Sequence, residues 1–143
     1  MYSIALRFTE KFAPEGGTIK AHQELINING FVWYGKMGGP VSDANIVKVM
    51  AQDTPKILLI HSGGQDRYWA YITDIKKEQP VIEEFPEYYR DIAHKFKTWF
   101  CVYRFELAER NVMSKCKVSS SKAILSTASR HSMNPYFLIE FEE

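Results

Sequence analysis

Three pairs of adjacent aromatic residues stand beside predicted turns in this chain: Trp33-Tyr34, Tyr68-Trp69 and Tyr88-Tyr89. Rings placed at turns can hold a flat ligand by stacking, and nucleobases are the flat ligands most often held that way. On a strand the two rings of a pair point to opposite faces, so one enters the core and the other is left for a surface or a pocket. Core packing accounts for any one pair taken alone, whereas recurrence beside turns favours a stacking site. Arg7, Lys36, Lys122 and Arg130 lie in or beside the same loops and are candidate phosphate contacts. The alternative for each is ordinary surface charge. The first pair runs into Gly35-Lys36-Met37-Gly38-Gly39, whose glycines would leave the backbone bare to an approaching nucleotide.

Other chemistry is absent from the sequence. There is no phosphate-binding glycine loop, dinucleotide fingerprint, HExxH, GxSxG or zinc-site spacing. The histidines, His22, His61, His94 and His131, are scattered. His61 ends a predicted core strand, where a hydrogen-bonded structural histidine is the common case. Cys101 and Cys116 lack CxxC spacing and paired histidines, which reads as two free intracellular thiols. Cys101, mid-strand among aromatics, reads as an inert core thiol. Glu83-Glu84 and Glu142-Glu143 read as solvated ends. No catalytic constellation, metal or cofactor is expected, and any catalysis would belong to a fused domain or partner subunit.

The chain has 143 residues, suited to one domain over 1–143. Its net charge of +1 excludes a polycation, so nucleic acid would be met through a local patch. No apolar run approaches the ~20 residues of a membrane span, and "MYSIALRFTEKF" lacks a signal-peptide layout, so a cytoplasmic location is expected.

The elements that must position these residues follow from periodicity. Tyr2 to Phe8 alternates and reads as a strand. Thr18 caps a helix to about Asn29 with Ile19, Leu25 and Ile26 inward, and Gly30 stops it. "FVWYG" is a second strand. Ser42 or Asp43 starts a short helix carrying Ile46, Val47 and Met50. Two apolar runs flank Gly63-Gly64-Gln65-Asp66 as a hairpin, and Ile57 to Ile60, apolar on both faces, reads as a central strand. Residues 76 to 86 form a long loop, and Glu87 to Lys97 a short helix after Pro86. "WFCVYRFELAE" is a long strand, 109 to 135 is irregular with one or two helical turns, and "YFLIEFE" closes the chain. The sum is an α+β fold: a small closed or half-closed barrel of about six strands with two or three short helices.

This order of features resembles the PUA-like group of small barrels, and within it the YTH and EVE domains that read modified nucleobases. "YSIALRFTE" is similar to the first YTH strand, which ends in a basic residue and then a polar one, here Arg7 and Thr9. "GFVWYG" resembles the strand whose Trp walls a methyl-base cage, here Trp33. Tyr34 stands where those domains carry a small residue and would alter the pocket rim. "ILLIHSGGQDRYWAYITDI" resembles the next hairpin, and "FKTWFCVYRFEL" the strand after the cage loop. That loop lacks the second cage Trp, and Phe85, Tyr88 and Tyr89 are the candidates for the far wall. "VSSSKAILS" lies where those families touch backbone phosphate, with Lys122 nearest. Similar modules occur at the N-terminus of McrB-like subunits of modification-dependent restriction systems, where they feed a GTPase motor. A chain running from Met1 to just past a closing strand looks like such a module, free-standing or cut from a longer protein.

The resemblance implies a binding module that takes a modified, methylated base of DNA into an aromatic pocket. Thr9, Ser62 and backbone near Trp33 would meet the base edge, while Trp33 forms the wall and Lys36 meets a phosphate. A fused or partner GTPase or nuclease would act on the result. Three alternatives stay open: an RNA reader of the same barrel type, an enzyme using His61 or His131 with a carboxylate, and a protein-interaction barrel.

Overall fold

The computed structural model describes residues 1–61, 64–132 and 134–142. In chain order the elements are β1 (Tyr2–Phe8), α1 (Thr18–Asn29), β2 (Val32–Met37), α2 (Asp43–Met50), β3 (Lys56–His61) and β4 (Arg67–Lys76). Three 3-10 turns follow, at Ile82–Glu84, Glu87–Tyr89 and Ala93–Lys95. Then come β5 (Phe96–Leu107), α3 (Val112–Lys115), β6 (Lys117–Val118), α4 (Leu125–His131) and β7 (Tyr136–Glu140).

One mixed sheet runs β2-β5-β4-β3-β1-β7-β6. Among the described residues only β1 and β3 pair in parallel, with Ile4 opposite Ile57. The alternation of these two strands explains their central place. Ile4, Leu6, Phe8, Ile57 and Leu59 enter one core, while Ala5, Leu58 and Ile60 enter another on the opposite face. A strand apolar on both faces must be covered on both. The first core is filled from α1 and α2, through Ile19, Leu25, Ile26, Ile46, Val49 and Met50. Across the sheet, Val112, Met113, Cys116 and Leu125 cover the β1, β3 and β7 side. The 3-10 segment covers β2 and β5, packing Phe85, Tyr89 and Ala93 on Trp33, Trp99 and Cys101.

Several expectations need correction. The sheet has seven strands, because the two-residue β6 pairs with β7 inside the stretch read as irregular. Among the described residues it is flanked by four α-helices. The barrel is not closed: β2 pairs only with β5, and no ladder joins it to β1 or β7 among the described residues. The β2 edge does curl back, bringing Lys36 Nζ to 5.3 Å from the centroid of the Tyr136 ring. The helix expected over Glu87 to Lys97 is replaced by two 3-10 turns. Their tighter winding lets Tyr89, Ala93 and Phe96 all bury on β2 and β5.

Both long helices begin and end close to the positions their sequences mark, with one cap misassigned. Gly30, at φ +85°, closes α1 in the left-handed conformation that glycine adopts freely, and its N–H donates to Ile26 O at 2.8 Å. At the other end Thr18 is not the cap. Gly17 holds that position, and the Thr18 N–H donates to the Glu10 carboxylate at 3.0 Å. The buried residues of α1 are Thr18 and His22, with Ile19, Leu25 and Ile26 half-buried beside them. Ser42 caps α2 by accepting from Asn45 N at 3.2 Å. Of the apolar residues α2 carries, Val47 is exposed and Val49 is buried. No helix among the described residues is long and apolar enough to cross a membrane.

Candidate functional site

The open seam between β1 and β2 holds a cavity of about 130 Å³. β1 contributes Leu6, Arg7 and Phe8, with Thr9 just beyond it; β2 contributes Tyr34, Gly35, Lys36 and Met37. Tyr88, Tyr89, Ile92 and Phe96 close a third side, while Phe12, Thr18 and Pro135 complete the lining. Three of these side chains are phenols. The Tyr88 and Tyr89 rings lie 4.8 Å apart at 66°, and Tyr89 meets Phe96 at 4.6 Å and 60°. Such edge-to-face pairs fix ring orientation. Tyr34 is backed by the buried His22 ring at 5.2 Å.

Burial sets the charge states here. It raises the Tyr34 and Tyr89 phenols far above their ordinary range, and the nearby Tyr88 adds to both. Tyr88 is raised as well, chiefly by burial, with a hydrogen bond from the Thr18 side chain opposing part of the rise. The three phenols therefore stay protonated and keep their O–H donors. Burial lowers the Lys36 ammonium from its usual value. His22 is pushed down to about 4 by burial, opposed by its hydrogen bond to Thr18. At neutral pH it is uncharged, its Nδ1–H donating to Thr18 O at 2.8 Å, while Nε2 is buried without a partner among the described residues.

The residues singled out from the sequence divide clearly. Tyr34, Tyr88, Tyr89, Thr9, Arg7 and Lys36 line the one cavity, whereas Trp33 and Phe85 do not. Alternation along β2 decides the first pair. Val32, Tyr34 and Lys36 share the inner face, so Trp33 turns outward under the 3-10 segment, 7% exposed. One face of its indole is covered by Lys76 Nζ, 4.4 Å from the centroid. Phe85 is buried at 5.3 Å from the Trp99 ring. Of the two neighbours it is Tyr34, not Trp33, that lines this cavity.

The candidate phosphate contacts fare differently. Lys36 is 3% exposed, and its ammonium donates to Gly39 O at 2.6 Å and Met37 O at 3.0 Å. It holds the loop after β2 rather than facing solvent. Gly35 does not leave bare backbone either, because a Cβ there would run into the Phe96 ring. Arg7 spends its guanidinium on carbonyls of the last turn of α4 and the connection into β7, donating to Ser129 O, to Ser132 O at 3.1 Å and to Asn134 O at 3.3 Å. Lys122 pairs with Glu140 at the far end of β7, and does not line the cavity. Arg130 is exposed on the last turn of α4, its Nε donating to Ser126 O at 3.1 Å, and is also outside the lining. Ser62 lies outside the described residues.

Of the remaining features, Trp69 is buried with Lys56 Nζ 4.1 Å from its ring, on the opposite face of the sheet. His61 stacks on Phe8 at 4.9 Å and 11°, with Glu10 at 3.8 Å from its Nε2. Both cysteines are free, and burial raises each thiol above its usual value. Among the described residues, no group of three or more His, Cys, Asp or Glu side chains could hold a metal ion. Sequence reasoning missed Phe12, Ile92 and Phe96 as lining residues. For Phe12 a signal existed, since it is the one aromatic in the polar run "TEKFAPEGG".

No curated protein and no solved structure matches the chain. A family model described as Pua-like matches residues 4–135, from β1 to the turn before β7. That fold family points to a nucleic-acid-binding module rather than a catalyst, and on a match spanning most of its length the chain belongs to the Pua-like family.

Proposed function

We propose that the domain reads a modified, methylated base of DNA by taking it out of the stack into the seam cavity. The observation that carries this reading is the cavity itself: about 130 Å³, walled by tyrosines whose hydroxyls stay protonated. An apolar cavity of ~150 Å³ holds one benzene ring, so this one suits the ring of a single base with its sugar outside. Tyr34, Tyr88 and Tyr89 supply ring faces and edges, and the Tyr88 and Thr9 hydroxyls would meet the base edge, the Tyr89 hydroxyl being hydrogen-bonded already to Tyr88 and to the Gly35 backbone. Trp33 and Phe85 support these walls from the layer behind. The resemblance to EVE and YTH domains supports the methylated target and the role of a reader for a McrB-like GTPase or nuclease, fused or separate. Catalysis would belong to that partner, and the module would work in the cytoplasm.

The energetics are balanced. Extruding a base costs a few kcal/mol of unstacking, and stacking on aromatics returns ~1–3 kcal/mol per base. A buried methyl adds about 0.8 kcal/mol, roughly a fourfold preference. Stronger discrimination needs hydrogen bonds to the base edge. The test is fluorescence anisotropy with matched methylated and plain oligonucleotides, as DNA and as RNA. Methylated DNA should bind at least about fourfold tighter than plain DNA, and Tyr88→Ala should weaken it about tenfold. Equal binding of plain and methylated strands would remove the methyl-reader reading, and wild-type affinity in Tyr88→Ala would remove the cavity. Preference for the RNA strand would make the module an RNA reader.

A further inference from the structure

We propose that the tip of the β1–α1 loop, Lys11 and Phe12, makes a second contact with the bound strand. The Phe12 ring stacks on the base next to the captured one, and the Lys11 ammonium meets the adjoining phosphate. The inference rests on the nucleic-acid reading of the cavity. Phe12 lines that cavity and is 44% exposed, so its ring stands at the mouth, half in and half out. Lys11 is exposed, its Nζ 5.4 Å from the centroid of the Phe12 ring, and it forms no ion pair among the described residues. An aromatic face with an unpaired cation beside it is the pairing that single-stranded nucleic acid binds without regard to sequence.

The loop that carries the tip is held at both ends. Lys11 N donates to Thr9 Oγ1 at 3.2 Å, Ala13 N to Glu10 O at 3.1 Å, and Gly17 N to Pro14 O at 3.0 Å. Glu10 then ties the loop to α1 through Thr18 N at 3.0 Å. A tip so fixed loses little freedom on binding. Extruding one base also leaves its neighbour with an uncovered face, and apolar side chains fill such gaps in other complexes. Phe12 stands where that face would be presented.

The test uses the full chain with an oligonucleotide carrying 2-aminopurine next to the methylated base, alongside the methylated nucleoside alone. Phe12→Ala should weaken oligonucleotide binding about tenfold and abolish the change in aminopurine fluorescence, while nucleoside binding, to which Phe12 adds only its edge at the cavity mouth, falls by much less. Phe12→Trp should restore both oligonucleotide readouts. Lys11→Ala should flatten the slope of log K against log salt by about one unit. Oligonucleotide binding unchanged in Phe12→Ala would overturn the proposal. So would an equal loss for oligonucleotide and nucleoside, which makes Phe12 only a cavity wall. Wild-type protein that binds neither probe would sink the cavity reading itself, and this contact with it.

Discussion

His22 sits wholly buried on α1 behind the cavity phenols, with T-shaped neighbours at Tyr89 (5.2 Å) and Phe105 (6.3 Å). Burial depresses its pKa from 6.5 to about 4. Between those values the unfolded chain takes up a proton that the folded chain refuses, so stability is full above pH 6.5 and falls as pH drops toward 4. The loss should reach on the order of 3 kcal/mol by pH 4. Urea unfolding across that range should show a flatter pH dependence in His22→Phe than in wild type; parallel curves would mean that His22 does not govern it. The same scale decides the two rings of β2. Tyr34 shares its face with Val32 and the α1 core, whereas Trp33 belongs with Phe85, Phe96 and Trp99. Adjacent aromatics must part company on a strand, but which one meets the cavity depends on what covers each face.

At the scale of elements, the β1–α1 connection joins the cavity to the first helix. Its glycine cap offers no side-chain acceptor, and Glu10 supplies one from eight residues upstream. A Cβ at Gly17 would crowd that carboxylate, so the small residue and the distant cap are one device. Glu10→Ala should cost about 1 kcal/mol, as other lost caps do, while Glu10→Gln, which keeps an acceptor oxygen, should recover most of it. Urea midpoints measure both, and equal values for Glu10→Ala and wild type would remove Glu10 from the cap. The turns at Glu87–Tyr89 and Ala93–Lys95 are the opposite case. Tyr88, Tyr89, Ile92, Ala93 and Phe96 carry helical spacing, yet burial of Tyr89, Ala93 and Phe96 on the sheet wins over the local preference.

For the whole molecule the argument concerns charge and closure. Net charge is +1, Arg7 and Lys36 spend their donors on backbone carbonyls, and Lys122 pairs with Glu140. Of the four cations picked out beside the predicted turns, only Arg130 is exposed and outside an ion pair among the described residues, joined by Lys11 at the cavity mouth. Binding of a short DNA strand should therefore show a slope of log K against log salt of only about −1 to −3. Titrations at several salt concentrations check this, and a slope near −6 would mean that the strand follows a wider basic track than Lys11 and Arg130 provide.

Much of this was legible in the sequence. The alternation of "YSIALRF", the double-sided run Ile57 to Ile60, and the glycine stop after α1 reflect short-range backbone geometry, which neighbouring residues determine by themselves. The aromatic pairs and the set Arg7, Thr9, Lys36, Tyr88 and Tyr89 were legible as residues near one another in kind. Their meeting was not. β1 and β2 are separated by α1 in the chain and by three strands in the sheet, and only the curl of the whole sheet brings Leu6–Thr9 across from Tyr34–Met37. The same curl turns Arg7 onto the end of α4 and the loop into β7, whose carbonyls lie 122 to 127 residues on, whereas Lys36 donates to carbonyls one and three residues on in its own loop. Sequence determined the six longer strands, the glycine stop of α1, the Ser42 cap of α2 and the choice of residue types. Tertiary structure decided which of Trp33 and Tyr34 borders the cavity and which cations are still exposed, since both depend on contacts between segments far apart in the chain.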